Sequence, residues 1–177
     1  FLSNDFTQVN FELNKKMIDL ALELLQLNES DDVIDLFCGL GNFTLPISRY
    51  VNSVVGIEGD KGLVERAKEN AKANDISNTS FYKADLFEDV SGFEWFRGKK
   101  YNKALIDPAR TGAIEIVELL PKLKVERLVY VSCNPATLAR DTAKLIDLGF
   151  SLESAGVMDM FPQTAHVESI ALFIRKK

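Results

Sequence analysis

Asp35-Leu36-Phe37-Cys38-Gly39-Leu40-Gly41-Asn42-Phe43 follows the start of a short apolar run, Val33 to Phe37, and opens a stretch of helical spacing from Phe43 to Tyr50. A strand that ends in Gly-x-Gly and re-enters as a helix is the opening unit of an open α/β sheet, because glycine lets the backbone turn sharply and approach a ligand without a Cβ in the way. The third glycine of the dinucleotide fingerprint is missing, with Asn42 and Phe43 where the helix begins. That lowers the case for a pyrophosphate seated on the helix end. A sulfonium nucleoside needs no such cradle.

On either side of this turn the hydrophobic period alternates between helix and strand. Asn10 to Leu27 carries Phe11, Met17, Ile18, Leu20, Ala21, Leu24 and Leu25 at helical spacing. Val54 to Glu58 reads as a second strand, Lys61 to Ala73 as a charged amphipathic helix, and Phe81 to Ala84 as a third strand. An aromatic loop with Phe87, Phe93, Trp95 and Phe96 precedes a fourth strand, Lys103 to Ile106, which stops at Asp107-Pro108; a fifth, Arg127 to Ser132, ends at Cys133. Thr137 to Leu148 is a helix with Gly149 just past its end, as a C-terminal cap requires. Leu152 to Met160 and Glu168 to Arg175 are extended. Five strand-helix units and a closing antiparallel pair predict an α/β fold of the Rossmann-like S-adenosylmethionine-dependent methyltransferase type. Its seven-stranded, mostly parallel sheet carries helices on both faces.

A chain of 177 residues with 46% hydrophobic content can bury one substantial core, so residues 1–177 are read as a single domain. No stretch is long and apolar enough to span a bilayer, and no membrane role is expected. Phe1 to Gln8 lacks the basic, apolar, small-residue order of a signal peptide, and the chain reads as an excised piece of something longer. Two cysteines far apart, Cys38 and Cys133, support neither a disulfide framework nor a metal site, and a reducing, cytoplasmic setting fits a working thiol. The net charge of −5 argues against independent, tight nucleic-acid binding, since phosphate neutralisation dominates that affinity. Small basic clusters at Arg97 to Lys100 and Arg175 to Lys177 read as solvated surface.

Ligands of open α/β sheets collect beyond the carboxyl ends of the strands. Glu58 stands there to bind ribose hydroxyls and Asp85 to meet an adenine amine; with Gly39 and Gly41 they favour S-adenosylmethionine. Cys133 sits at a strand end ahead of Pro135, where helix amides would favour a thiolate; a small core residue is the plainer reading. Cys38, within the glycine turn, is expected to line the cofactor side.

A thiolate added at C6 of a uracil makes C5 nucleophilic enough to take a methyl group, after which a base must remove the C5 proton. Glu168 is assigned as that base. His166, the one histidine, shares a strand face with it and is assigned to orienting the substrate base, with proton acceptance as the alternative. Asp107-Pro108 is read as a turn that holds a planar base, or simply ends a strand.

Five segments in order carry a resemblance to the RNA uracil-C5 methyltransferases: Phe6-Thr7-Gln8-Val9-Asn10, the glycine turn from Asp35 to Phe43, Asp107-Pro108-Ala109-Arg110, Val131-Ser132-Cys133-Asn134-Pro135, and His166-Val167-Glu168-Ser169. The resemblance implies that Cys133 is the nucleophile and Glu168 the base. It also implies that Gln8, Phe37, Asn42, Glu58, Asp85 and Asp107 line the cofactor and the target base; Gln8 rests on it alone. The Gly-Leu-Gly-Asn-Phe turn looks more like the branch acting on 23S ribosomal RNA than the transfer-RNA branch, so 5-methyluridine in ribosomal RNA is the expected product. Transfer-RNA uracil-C5 methylation, RNA cytosine-C5 methylation and a non-catalytic RNA-binding role are the alternatives. Full-length relatives carry an N-terminal OB-type domain and a four-cysteine iron–sulfur domain, for which this chain has no residues, so it resembles their catalytic domain. A face around Phe87 to Phe96 is expected to have met those missing domains.

Overall fold

The computed structural model describes residues 11–158 and 167–176. In chain order the elements are α1 (Phe11–Leu25), β1 (Asp32–Leu36), α2 (Thr44–Ser48), β2 (Ser53–Glu58), α3 (Lys61–Ala73), β3 (Thr79–Lys83), β4 (Lys103–Ile106), α4 (Ile114–Val117), β5 (Arg127–Ser132), α5 (Pro135–Asp147), β6 (Phe150–Met158) and β7 (Glu168–Arg175). The strands form one sheet in the order β3-β2-β1-β4-β5-β7-β6. The first five run parallel, and β7 lies antiparallel between β5 and β6. The expected seven-stranded Rossmann-like sheet is the architecture of this chain.

A parallel sheet must be covered on both faces, which is why its central strands read as continuous apolar runs. Alternate residues serve opposite faces. Ile34, Leu36, Ala104, Ile106, Leu128 and Tyr130 pack with Trp95, Ile116, Leu120 and Leu145 on the side of α4 and α5. Val33, Val54, Leu105, Val129 and Val131 pack with Met17, Ala21, Leu25 and Ile47 of α1 and α2. Met17, Ala21 and Leu25 recur every four residues, the apolar stripe of a surface helix. Asp60 caps α3 by accepting from the Leu63 amide, and Gly149, at φ +90°, ends α5 in the left-handed conformation.

One expectation is corrected. The segment from Ala84 to Asn102 that joins β3 to β4 contains no helix, so the sheet is built from four strand-helix units and one irregular crossover. Asp85 and Asp89 side chains accept from the amides of Phe87 and Ser91, so local turns take the backbone donors that a helix would need. The crossover is anchored by Trp95, fully buried, whose carbonyl accepts from the Tyr101 hydroxyl at 2.7 Å. Four-residue α4 has too few turns to show a period and is not foreseen in the sequence.

Candidate active site at the carboxyl end of the sheet

Parallel β1, β2, β4 and β5 end at the same edge, so Phe37, Glu58, Asp107 and Cys133 arrive there together from four separate segments. Strand β7 runs the other way and therefore begins where β5 stops. Ser132 pairs with Ser169 in the β5–β7 register, and the next residues outward are Cys133 and Glu168. Both are half-buried, as is Asp107. Burial, then the charges of Glu168 and Asp107, push the Cys133 thiol above its ordinary value; Arg110 offsets this only in part. Burial raises Glu168 as well, and burial with the charges of Glu168 and Asp35 lifts Asp107 to about 7.

The expectation of a helix-stabilised thiolate therefore does not hold. Asn134 already caps α5, its side chain accepting from the Ala136 amide at 3.1 Å, and burial together with the carboxylates Glu168 and Asp107 outweighs what remains.

The loop after β4 is locked to the helix that follows Cys133. The Arg110 carbonyl accepts from Asn134 Nδ2 at 2.9 Å and from Thr137 Oγ1 at 3.3 Å. Asp141, with no exposed surface, accepts from the Tyr130 hydroxyl at 2.6 Å and the Ala113 amide at 2.8 Å. It also pairs with Arg140 at 2.7 Å, while Arg140 donates to the Thr111 carbonyl at 2.9 Å. Gly112 lies between them at φ +79°, where a Cβ would stand 2.6 Å from Arg140 Nη2 and 2.7 Å from Asp141 Oδ2. Gly112, Tyr130, Arg140 and Asp141 have no role in the sequence reading. Their signal is there: Asp141 falls three residues after Leu138 and four before Leu145, on the buried face of α5.

The glycine turn shows the other half of the site. Phe37, at φ +65°, holds a conformation that costs a bulky residue about 1–3 kcal/mol and that clusters at ligand sites. A Cβ at Gly39 would meet nothing within 4 Å. Glu58 braces the turn, one carboxylate oxygen accepting from the Gly39 amide and the other from the Asp60 amide, each at 3.0 Å. Asn42 exchanges two 3.1 Å hydrogen bonds with Asn14 of α1.

Asp35 is fully buried beneath the turn. One of its oxygens accepts from the Thr44 hydroxyl at 2.5 Å, and the other has no hydrogen-bond partner among the described residues. Burial lifts its carboxyl to about 7, against the pull of the Thr44 hydrogen bond. Exposed Asp85 accepts from the Phe87 amide at 3.0 Å, and the Phe87 ring packs 5.8 Å from that of Phe37 at 50°.

Two expectations need adjustment. Cys38 is only 4% exposed and packs with Val64, Ala67, Ala71 and Phe81 beneath α3, facing the core instead of the cleft. Burial drives its thiol far up, so it is inert. Of the aromatic crossover, Phe87 and Phe93 are exposed, but Trp95 is core and Phe96 packs edge-on against it at 5.9 Å, so the exposed face is two rings and not four. Phe87 belongs to the cleft through Phe37. Gln8 and His166 lie outside the described residues. Among the described residues no group of His, Cys, Asp or Glu side chains is arranged to hold a metal ion.

The profile of a family described as tRNA (uracil-5-)-methyltransferase matches residues 1–177. The 23S rRNA (uracil(1939)-C(5))-methyltransferase RlmD of Vesicomyosocius okutanii is 75% identical over 176 residues, covering 99% of this chain and 40% of that protein. RlmD of Alcanivorax borkumensis is 55% identical over 177 residues, again covering 40% of that protein. The chain thus spans about two fifths of the length of these relatives. Among solved structures, the Pyrococcus abyssi tRNA (uracil-54, C5)-methyltransferase in complex with S-adenosyl-L-homocysteine superposes with a TM-score of 0.80 at 29% identity, covering 97% of this chain and 40% of that one. Synechocystis magnesium protoporphyrin IX methyltransferase with bound SAM superposes at 0.71 with 18% identity, over 96% of this chain and 86% of that one, a likeness of fold alone.

Proposed function

The chain belongs to the tRNA (uracil-5-)-methyltransferase family, and from that premise we propose that it moves a methyl group from S-adenosylmethionine to C5 of a uridine in ribosomal RNA, with Cys133 as nucleophile and Glu168 as base. The observation that carries this is the β5–β7 register, which brings a thiol and a carboxylate 35 residues apart in sequence to one end of the sheet. The choice of ribosomal over transfer RNA rests on 75% and 55% identity to enzymes named for 23S rRNA, against 29% to one named for tRNA.

The glycine turn fits the donor. Asp35 has an unpartnered buried oxygen suited to a cationic ligand, Gly39 leaves open space, and the Phe37–Phe87 pair offers flat apolar surface for an adenine. Glu58 is assigned to the ribose hydroxyls and Asp85 to the adenine amine. Bound S-adenosylmethionine supplies an electrophilic methyl group.

The chain's own residues do the rest. Cys133 sulfur bonds to C6 of the uracil while its proton passes to Asp107, which ionises near neutrality. The electron pair of the C5–C6 double bond moves toward C5 and O4. Once C5 carries its methyl, Glu168 takes the C5 hydrogen as a proton, the double bond re-forms and the C6–sulfur bond breaks to release Cys133. Free thiols suit a cytoplasmic setting, and no helix among the described residues is long and apolar enough to cross a membrane.

The test is methylation of ribosomal and transfer RNA with labelled donor, followed by mass analysis of the nucleosides. We expect 5-methyluridine from ribosomal RNA and none from Cys133→Ala, with S-adenosylhomocysteine binding retained. Turnover by Cys133→Ala ends the covalent reading, and 5-methylcytidine as product ends the uracil assignment.

A further inference from the structure

The reacting end of the sheet is lined by Glu58, Asp85, Asp107 and Glu168, on a chain of net charge −5. A polyanion approaching that end is repelled by carboxylates, so attraction for its phosphates must come from another surface. At the opposite end, three cations of the β3–β4 crossover, Arg97, Lys99 and Lys100, converge with Lys122 and Lys124 from the segment before β5. Together with Ser91 and Phe96 they line one open hollow of about 430 Å³. All five are exposed, and none forms an ion pair among the described residues. Asp89 is a nearby carboxylate that feels Lys122. Arg175, donating to the Pro121 carbonyl at 3.4 Å, extends the positive surface beside Lys122.

Two features distinguish the hollow from scattered surface charge. Its cations come from two segments brought together only by folding, and screening over about 10 Å makes such local clustering count for more than the net charge. Phe96 lines it and exposed Phe93 stands close by, both packed on Trp95. Cations beside aromatic rings are the composition that grips single-stranded nucleic acid, the charges tracking the backbone and the rings taking bases. From Lys100 to Asp107 is seven residues of mostly extended chain, roughly 23 Å, so one RNA can touch both ends of the sheet.

We propose that this hollow is a second RNA contact, holding the sugar–phosphate backbone of a single-stranded segment of the substrate away from the target uridine. The inference rests on the reading of the chain as an RNA methyltransferase. The test measures binding of a 20-nucleotide (about that length) oligouridylate to the 177-residue chain as a function of salt. It compares the unaltered protein with Lys99→Ala/Lys100→Ala/Lys122→Ala/Lys124→Ala and with a control altered at Lys15, Lys16, Lys68 and Lys72. The first variant is expected to lose roughly tenfold or more in affinity at low salt and about 3 from the slope of log K against log salt. Its S-adenosylhomocysteine affinity and melting temperature should stay unchanged. An unaltered slope, or an equal loss in the control, overturns the proposal. So does oligouridylate binding that survives while binding to phosphatidylserine vesicles is lost, which would make the surface a membrane contact. If oligouridylate binds through these lysines but no RNA yields 5-methyluridine, the surface stands and the assigned activity falls.

Discussion

Cys133 faces two carboxylates, whose charges add to burial, the larger cause, in holding its thiol above the ordinary value. Replacing Glu168 with glutamine removes one of those charges and should bring the thiol's pKa down. Alkylation of Cys133 by iodoacetamide at mildly alkaline pH is expected to accelerate roughly threefold to tenfold, since a tenfold change in thiolate fraction follows each pKa unit. An unchanged rate would mean that the two groups are electrostatically independent. The same variant, given RNA and donor, should accumulate a denaturation-resistant protein–RNA adduct, because elimination is blocked after methyl transfer. The places of Cys133 and Asp107 just past β5 and β4, and of Glu168 at the start of β7, were legible because each marks a strand boundary. The direction of the thiol's shift was not, because it depends on charges contributed by other strands.

Between β4 and α5 the elements act as one piece: the Asp107-to-Ala113 loop is bolted to the first turns of α5 by Arg110, Thr111 and Ala113 backbone groups. Gly112→Ala combines a left-handed φ with a Cβ driven onto Arg140 and Asp141. It should cost about 1–3 kcal/mol in urea unfolding and lower methylation beyond what the residual folded fraction explains. Tyr130→Phe removes a single hydrogen bond to Asp141 and should cost about 1 kcal/mol. A Gly112→Ala protein of full stability would show that the lock yields. The boundaries of α3, β4, β5 and β7 were readable from period and breakers alone. The β3–β4 crossover was readable as an aromatic loop, but four-residue α4 was not, since it contains too few turns to show a period.

For the whole molecule, the carboxyls that burial raises, Asp35 fully and Asp107 partly enclosed, make stability depend on pH in a direction opposite to that of ordinary ion-paired acids. Asp35 and Asp107 ionise near 7 when folded and near 3.8 when free. The folded state therefore holds more protons between those values, and stability falls as pH rises through them. For fully buried Asp35 the loss amounts to about 4 kcal/mol at most. Unfolding by urea at about pH 5 and about pH 8 should show the decline, and Asp35→Asn should flatten it. An equal decline in the variant would place the effect elsewhere. Edge strand β6, with Leu152 and Val157 exposed, completes the molecule on the side away from the glycine turn.

What the sequence determined by itself is whatever repeats over a few neighbouring residues. That includes the alternation of strands and helices, the glycine turn, and the strand-end positions of the candidate site residues. Tertiary structure alone decided that Cys133 and Glu168 share one end of the sheet, that Cys38 turns into the core, that Asp141 locks a loop 28 residues from it, and that five cations from two segments share a hollow. The physical reason is range. Backbone period and turn chemistry are local, whereas burial, pairing register and summed charge depend on distances in space that no short stretch of chain contains.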